Sequence, residues 1–415
     1  MTAFRIGSVT LSKVSENRVR HHLRSVREND SINQLFFFHV EFTDRILDDC
    51  RKLFVRDGRR FASIKVLFCK GKMSDIVTLL MDYSSTQALT VSKCEPWTLN
   101  TLNACLRTNQ SLKALRISSS AIIGGTDCFN GLTVNNTLQE LDLCGSHLGP
   151  SAIECLCQTL MQNTGLQTLK LDGCDMEDSA VASVVKAVLQ HKTLTTLDLS
   201  NNAVSSKALE MVACLIQQNQ QLKHLSIQSL RFSDELDPAI MFQAIVNLQN
   251  NTTLESLDIS ENRLTNAAIH GLCECLSKNQ TLRHLDISNA GVEEEGIEIL
   301  ARNLGQFKGI QELNLSENDL TEEGAQSLLN GLQHNYSLAS LGPIMEQHFK
   351  CSSDIEHYLD LNLAGRRALH SEIPLSIWPE LLAKTSMRKN DLAGSRGRNE
   401  NALFSLLHGP ALFER

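Results

Sequence analysis

Aromatic side chains are scarce, at 5% of the 415 positions, so a folded core has to be built mostly from Leu, Ile, Val and Ala. Positive charge is not in excess either. The formal net charge of -8 leaves no basic face for the phosphates of a nucleic acid, and no nucleic-acid partner is expected. No run approaches the roughly 18 uninterrupted apolar residues of a membrane span. Met1 to Thr10 lack a charged-then-apolar signal pattern, so secretion is not expected. Arg18 to Arg27 could be read as an Arg-rich organelle presequence, but Glu16 and Glu28 flank it and weaken that reading. The 13 Cys are odd in number and irregularly spaced, which fits free thiols in a reducing compartment better than a disulfide framework. A cytoplasmic location is expected, with the nucleus as the alternative. At 42% hydrophobic and 21% charged, the composition is that of a folded protein rather than a disordered one.

A repeat dominates the rest. The unit Leu254-x-x-Leu257-x-Ile259-x-x-Asn262-x-Leu264 recurs as Leu194, Leu197, Leu199, Asn202, Val204 and as Ile310, Leu313, Leu315, Asn318, Leu320. Leu138, Leu141, Leu143, Leu148, then Leu166, Leu169, Leu171, Met176, and Leu282, Leu285, Ile287, Val292 complete a block whose units mostly start about 28 residues apart. Leu222, Leu225, Ile227 and Phe232 belong too, followed by an insertion around Asp234 to Pro238. Backwards, the register runs through Leu112, Leu89, Phe61 and Ile32 to a decayed first unit at Ile6, Val9 and Leu11. Forwards, Leu338 and Leu341 open a last unit that Gly342-Pro343 cuts short. A second mark is independent of the leucines. An Asn stands three residues before the first apolar position at 29, 109, 135, 163, 219, 251, 279 and 335, with His191 and Phe307 as exceptions.

Each unit has two halves. Leu-x-Leu alternates at period two, as a short strand does. The following half has helical spacing, as in Ala325, Leu328, Leu329 and Leu332. Neither half can bury its apolar face alone, so neighbours must stack. The expected fold is an α/β leucine-rich-repeat solenoid, a horseshoe with parallel inner strands and outer helices, capped at both ends. Its expected parts are degenerate capping repeats over 1–60, the array over 61–345 and a C-terminal cap over 346–415. Within the cap, 355–385 reads as a strand-like run followed by helices, one of them starting near Pro374. A mobile loop is expected near 387–400 and a short helix over Asn401 to Leu407.

Leu197-Asp-Leu-Ser-Asn-Asn202 and Leu257-Asp-Ile-Ser-Glu-Asn262 resemble the ribonuclease-inhibitor-like class of leucine-rich repeats, which includes the repeat regions of cytosolic nucleotide-binding immune receptors. The likeness covers roughly 30–345. A narrower likeness is to a multi-copy group of such proteins from unicellular algae. It rests on Leu53-Phe-Val-Arg-Asp57, Cys69-Lys-Gly71, Leu361-Asn-Leu-Ala-Gly-Arg-Arg367, Ile373-Pro-Leu-Ser-Ile-Trp-Pro379 and Asn401-Ala-Leu-Phe-Ser-Leu-Leu407. The resemblance implies neither a catalytic activity nor a particular partner.

Cys69, Cys94, Cys174, Asn202, Asn262 and Asn318 share one slot, where a side chain can satisfy backbone groups as the chain leaves the strand, a structural role. Cys155-x-Cys157 and Cys273-x-Cys275 fit core packing better than a metal site, because positions i and i+2 of a helix face apart and no second pair stands at zinc spacing. No metal and no cofactor are expected. Val19, Leu23 and Val26 make Arg18 to Arg27 a helix with an apolar inner and a basic outer face; a solvated face is the plainer reading, an acidic partner or membrane surface the sharper. Arg366-Arg367 could likewise face an acidic partner. The side chains between the strand leucines project from the inner wall: Arg116, Asp142, Lys170, Asp198, Ser226, Asp258, Asp286 and Asn314, with Glu140, Glu255, Glu261, Glu312, Glu317, His224, Arg283 and His284 beside them. From Asp198 onward this wall is acidic and suits a basic protein segment, unless Leu-Asp-Leu is simply what such repeats require. Enzyme signatures of the G-x-x-x-x-G-K-[ST], G-x-S-x-G and H-E-x-x-H types are missing. The expected function is therefore a non-catalytic protein-interaction module or scaffold. The alternative is a GTPase-activating protein for a Ran-like small GTPase, whose acting residues have no match here.

Overall fold

The structure, a computed structural model, describes residues 8–12, 15–83, 85–119, 122–123, 127–204, 206–232, 245–343, 349–363 and 365–366. The chain divides into two compact units, Met1–Leu215 with Leu230–Asp234 and Ile216–Ser229 with Glu235–Arg415.

In the first unit eight parallel strands follow one another in chain order: β1 Ser8–Ser12, β2 Gln34–Phe38, β3 Ser63–Leu67, β4 Ala88–Ser92, β5 Ala114–Ser118, β6 Glu140–Asp142, β7 Thr168–Lys170 and β8 Thr196–Asp198. The register is one-to-one throughout, so Leu35, Ile64, Leu89, Leu115, Leu141, Leu169 and Leu197 form a single buried row. Alternate residues point the other way and remain half-exposed, the period-two consequence of the pleat. β1 and β2 share this register, so the ladder extends back to Ser8–Ser12, and Val9, Leu11, Leu35 and Phe37 are as buried as the leucines of the regular block.

Helices cover the buried side: α1 Glu16–Arg27, α2 Asp44–Arg51, α3 Met73–Tyr83, α4 Leu99–Thr108, α5 Pro150–Leu160, α6 Asp178–Gln190 and α7 Ser206–Gln218, the last divided between the units. α1 buries Val19, Leu23 and Val26 and turns its arginines outward, as its spacing predicts. Between β5 and β6 the described residues include a 3-10 turn at Asn130–Thr133.

The second unit repeats the plan with β9 His224–Ser226, β10 Ser256–Asp258, β11 His284–Asp286 and β12 Glu312–Asn314, again parallel and in chain order. Its helices are α8 Asn266–Lys278, α9 Glu294–Asn303, α10 Glu322–Leu332 and α11 Ser352–Leu363. Paired residues stand 28 apart from β10 onward but 32 apart between β9 and β10, where His224 faces Ser256. The insertion at Asp234 to Pro238 accounts for the longer step and lies outside the described residues. Ser340 adds one more parallel bridge to Glu312, with Leu338 and Leu341 buried beside it.

The C-terminal expectations need correction. The strand-like run expected from residue 355 is helix α11. Cys351, Ile355, Leu359 and Asn362, at three- and four-residue intervals, are its buried face, and Leu361-Asn362-Leu363 only mimics the repeat's strand pattern. Arg366 is not held out to a partner. Its guanidinium donates to the carbonyls of Leu332 and Gln333 at the end of α10 and lies over the rings of Tyr336 and Tyr358, 4.6 and 4.8 Å from their centroids. The helix expected near Pro374, the loop over 387–400, the final helix at Asn401 to Leu407 and Arg367 lie outside the described residues.

Two polar ladders run along the sheet. In the turn after each strand, Asn202 donates to the carbonyls of Leu171, Leu199 and Ser200, and Asn262 to those of Ile227, Ile259 and Ser260. Cys174 gives its S–H to Leu143 O at 3.2 Å; Cys69 and Cys94 reach Phe37 O and Val66 O at 3.5 and 3.4 Å. Ser146 takes the same slot with a 2.8 Å bond to Ile117 O. At the other end of the strands, Asn135, Asn163, Asn251, Asn279 and Asn335 are buried and bond backbone groups of their own and the preceding repeat. Asn163, for example, donates to Leu132 O and Asn135 O and accepts from the N–H groups of Gly165 and Leu166. Asn362 carries this second ladder into α11, donating to Asn335 O and Leu338 O at 3.0 and 2.9 Å.

His191 interrupts it. Its Nδ1 accepts from Thr193 N and Leu194 N, which requires the neutral ring, while Nε2 is buried with no partner among the described residues. Burial lowers its pKa. A histidine held below its unfolded value favours the neutral form, so its stabilising contribution is complete above the ordinary value of about 6.5 and is lost as pH falls below it. His191→Asn would restore both donors of the column. It should raise stability by about 1 kcal/mol at neutral pH and by more at acid pH. Denaturant midpoints measured at the two pH values check this; a variant less stable than wild type at both would contradict it.

Candidate functional site

The surface left uncovered by the helices is the outward face of the strands. Its rows follow from the register. In the first unit one row reads Arg116, Asp142, Lys170, Asp198. In the second it reads Ser226, Asp258, Asp286, Asn314, and the next row reads His224, Ser256, His284, Glu312. The sequence-derived column is therefore a physical row within each unit, with neighbours about 4.8 Å apart across the sheet.

In the first unit the row is largely self-compensated. Arg116 makes a bidentate pair with Glu140 at 2.8 and 3.0 Å, and Lys170 stands between Asp142 and Asp198. Burial pushes the Asp198 carboxyl up from its ordinary range and the Asp172 charge adds to this, while bonds from Ser200 oppose it. A carboxyl raised in the fold favours the protonated form, so this group's contribution declines as pH rises through the carboxylate range.

The second unit differs. A depression of about 330 Å³ is lined by Asp258, His284, Asp286, Glu312 and Asn314 with Ser256, Ser340 and Gly342. Glu312 pairs with His284 Nδ1 at 2.9 Å. Among the described residues no ion pair reaches Asp258 or Asp286, although Ser226 donates to Asp258 Oδ2 at 3.3 Å and the Asn314 amide to Asp286 Oδ2 at 2.7 Å. Arg283 is not part of this group: its guanidinium donates to Gly309 O at 2.8 Å and lines a separate depression with Lys308, Gln311 and Tyr336. Glu255 is paired with Lys223 at 2.8 Å.

The row also has a conformational duty that the sequence reading missed. Oδ1 of Asp142, Asp198, Asp258 and Asp286 accepts the backbone N–H two residues on, at 2.9 to 3.1 Å. Asp258 and Asp286 accept the hydroxyls of Ser260 and Ser288 as well, at 2.6 Å each. This is the Asx turn that leads the chain out of the strand. Asn314 does the same with Ser316 through its amide oxygen. The pattern Asp/Asn-x-Ser at 198, 258, 286 and 314 was the available signal. One carboxylate oxygen serves the fold, and the charge it shares with Oδ2 still faces outward.

The cysteines are placed for packing. Cys157, Cys273 and Cys275 are buried, and burial pushes their thiols up to about 11, 12 and 11. Such thiols carry little thiolate at neutral pH. Among the described residues no cluster of His, Cys, Asp and Glu is arranged to hold a metal ion, and no helix is long and apolar enough to cross a membrane.

The parallel strands, the helices on one face and the asparagine ladders describe a leucine-rich-repeat solenoid. The sequence matches the MHP1/HER1/GIP3 LRR domain over residues 88–345, more than half of the chain. The chain belongs to this family. No curated protein matches the sequence. The MHP1/HER1/GIP3 LRR match takes in β4 through β12 and the whole acidic depression, while β1, β2 and β3 precede it in the same register. A leucine-rich-repeat domain supports, in general, a protein-interaction module.

Proposed function

We propose that the protein is a non-catalytic interaction module or scaffold, and that the strand face of its second unit receives a Lys- or Arg-rich segment of a partner protein. The observation that carries this is the neighbouring pair Asp258 and Asp286, which no ion pair neutralises among the described residues, with the His284-paired Glu312 beside them. Two carboxylates about 4.8 Å apart, half shielded from water, make a field that speeds encounter with a cationic chain and rejects an anionic one. The hydroxyl and amide donors around them are local and neutral, so they orient the carboxylates without neutralising their charge.

The turn geometry dictates the test. Reversal to Lys would remove the Oδ1 acceptor along with the charge and confuse misfolding with lost binding. Asn keeps the acceptor, as Asn314 shows in the last repeat. Asp258→Asn/Asp286→Asn should fold like wild type and lose at least about tenfold in affinity for a partner captured from native extract, since each close charge pair is worth about 1.5 kcal/mol or more. Raising the salt concentration should weaken the wild type and barely affect the variant. Equal affinity and equal salt dependence for the two proteins would sink the reading.

A further inference from the structure

In a chain with few aromatics, the sequence Phe36-Phe37-Phe38 and a further Phe68 stand out. Phe37 is fully buried, but Phe36 and Phe38 lie on the outward face of β2, half-buried, and Phe68 is 39% exposed at the end of β3. Phe38 and Phe68 meet edge to face at 5.5 Å, and the exposed His39 stacks on Phe68 at 4.9 Å. Lys93 places its ammonium 5.4 Å from the centre of the Phe68 ring, and Lys65 does the same over Phe36. The patch therefore spans three consecutive strands on the strand face of the first unit.

The chain is left-handed just after the strand in repeat after repeat, and at this patch an aromatic ring takes that position. Phe68 occupies the slot just after the strand where the chain is left-handed, with φ of 54°. Gly145, Gly173 and Asn201 fill that slot in later repeats of the same unit, residues that adopt the conformation readily, whereas His39, Lys93 and Ser119 share the less favourable position with Phe68. A bulky aromatic there is strained and at the same time leaves apolar surface in water. Local charge leans positive: Glu41 is paired with Lys70, and Glu95 accepts from Gly71 N and keeps its charge, while among the described residues Lys65 and Lys93 have no carboxylate within ion-pair distance.

We propose that this patch is a second docking site, for an acidic protein segment that carries an aliphatic or aromatic side chain beside its carboxylates. His39 and Lys93 lie against the Phe68 ring, and Lys65 over Phe36. Ring edges and ammonium groups are both electropositive, which suits a carboxylate better than a phosphate-bearing nucleobase that would need an open ring face to stack on. The site is opposite in sign to the acidic row of the second unit and independent of it.

The test uses the full chain and two short synthetic peptides, one alternating Glu with Leu and one with Gln in place of Glu, with oligo-dT as a third probe. The Glu peptide should bind, the Gln peptide more weakly, and added salt should lower the affinity of the first alone. Phe68→Gly should weaken the Glu peptide roughly tenfold, the scale of a central aromatic contact. Its thermal midpoint should be unchanged or raised, because Gly relieves the left-handed strain. Lys65→Gln/Lys93→Gln should weaken the same peptide and flatten its salt dependence, whereas Asp258→Asn/Asp286→Asn should leave it unaltered. Any of four results overturns the proposal: no binding of the Glu peptide, equal binding of the Gln peptide, affinity unchanged in both patch variants, or preference for oligo-dT. A lowered midpoint for Phe68→Gly would assign the ring to packing and overturn it as well.

Discussion

Replacing Asn318 with alanine should destabilise the fold by about 3–5 kcal/mol, the largest loss expected from any single polar side chain here. The amide oxygen accepts the N–H groups of Ala290 and Val292, both at 3.0 Å, and the amide nitrogen donates to the carbonyls of Ile287, Leu315 and Ser316. All of this lies under a side chain only 6% exposed. Alanine removes five hydrogen bonds at once and leaves the partner groups with neither protein nor free access to water. A buried unpaired group is worse than a bond merely exchanged for water. Asn318→Cys should lose less, because a thiol at this slot bonds one carbonyl, as Cys174 does with Leu143 O. Urea titration gives the global figure, although stacked repeats need not unfold in a single step. Amide exchange gives the local one: Ala290 and Val292 should lose protection first in the alanine variant. Protection unchanged at those two amides would contradict the assignment.

The solenoid was legible in the sequence because each of its forces repeats. The Leu-x-Leu rows appear as period-two burial in β6 through β12, and the recurring Asn marked a real column even where the leucines decay. Three things were not legible, for different reasons. Leu361-Asn362-Leu363 carries the strand pattern but sits in a helix, because the buried face of α11 is set by Cys351, Ile355 and Leu359, and a three-residue motif cannot outweigh that spacing. The Asp row was visible as charge, but its bond to the N–H two residues on depends on a turn whose geometry no composition states. Arg283 belonged on paper to the acidic group, yet it precedes its strand and reaches the carbonyl of Gly309 instead. A fourth regularity went unread. Four residues before the Asn column and its exceptions His191 and Phe307 stand Cys105, Gly131, Thr159, Ala187, Cys275 and Gly331, small residues in a row that Leu215, Asn247 and Asn303 interrupt, and two of the cysteines find their explanation there as compact side chains.

That row predicts the second large effect. Gly331→Ala should destabilise the second unit by about 3 kcal/mol, although alanine is the better helix former by roughly 1 kcal/mol. A Cβ built on Gly331 would lie 2.3 Å from the carbonyl oxygen of Ala301, 3.1 Å from its carbonyl carbon and 3.0 Å from Leu304 Cδ1. The Leu304 side chain can rotate away, but the Ala301 carbonyl cannot. It accepts the Leu304 N–H that closes α9, so relief requires α9 and α10 to separate and open the apolar seam between Leu300, Leu304, Leu328 and Leu332. Separating two packed helices forfeits dispersion contacts along their whole length, which outweighs a gain in local propensity. Gly149→Ala is the matched control. It stands at an N-cap with a φ of -66°, and nothing lies within 4 Å of the new Cβ, so its stability should stay close to wild type. Urea midpoints of the two variants decide the matter. If both move by the same amount, glycine at 331 reflects no close approach, and the small-residue row has no steric cause.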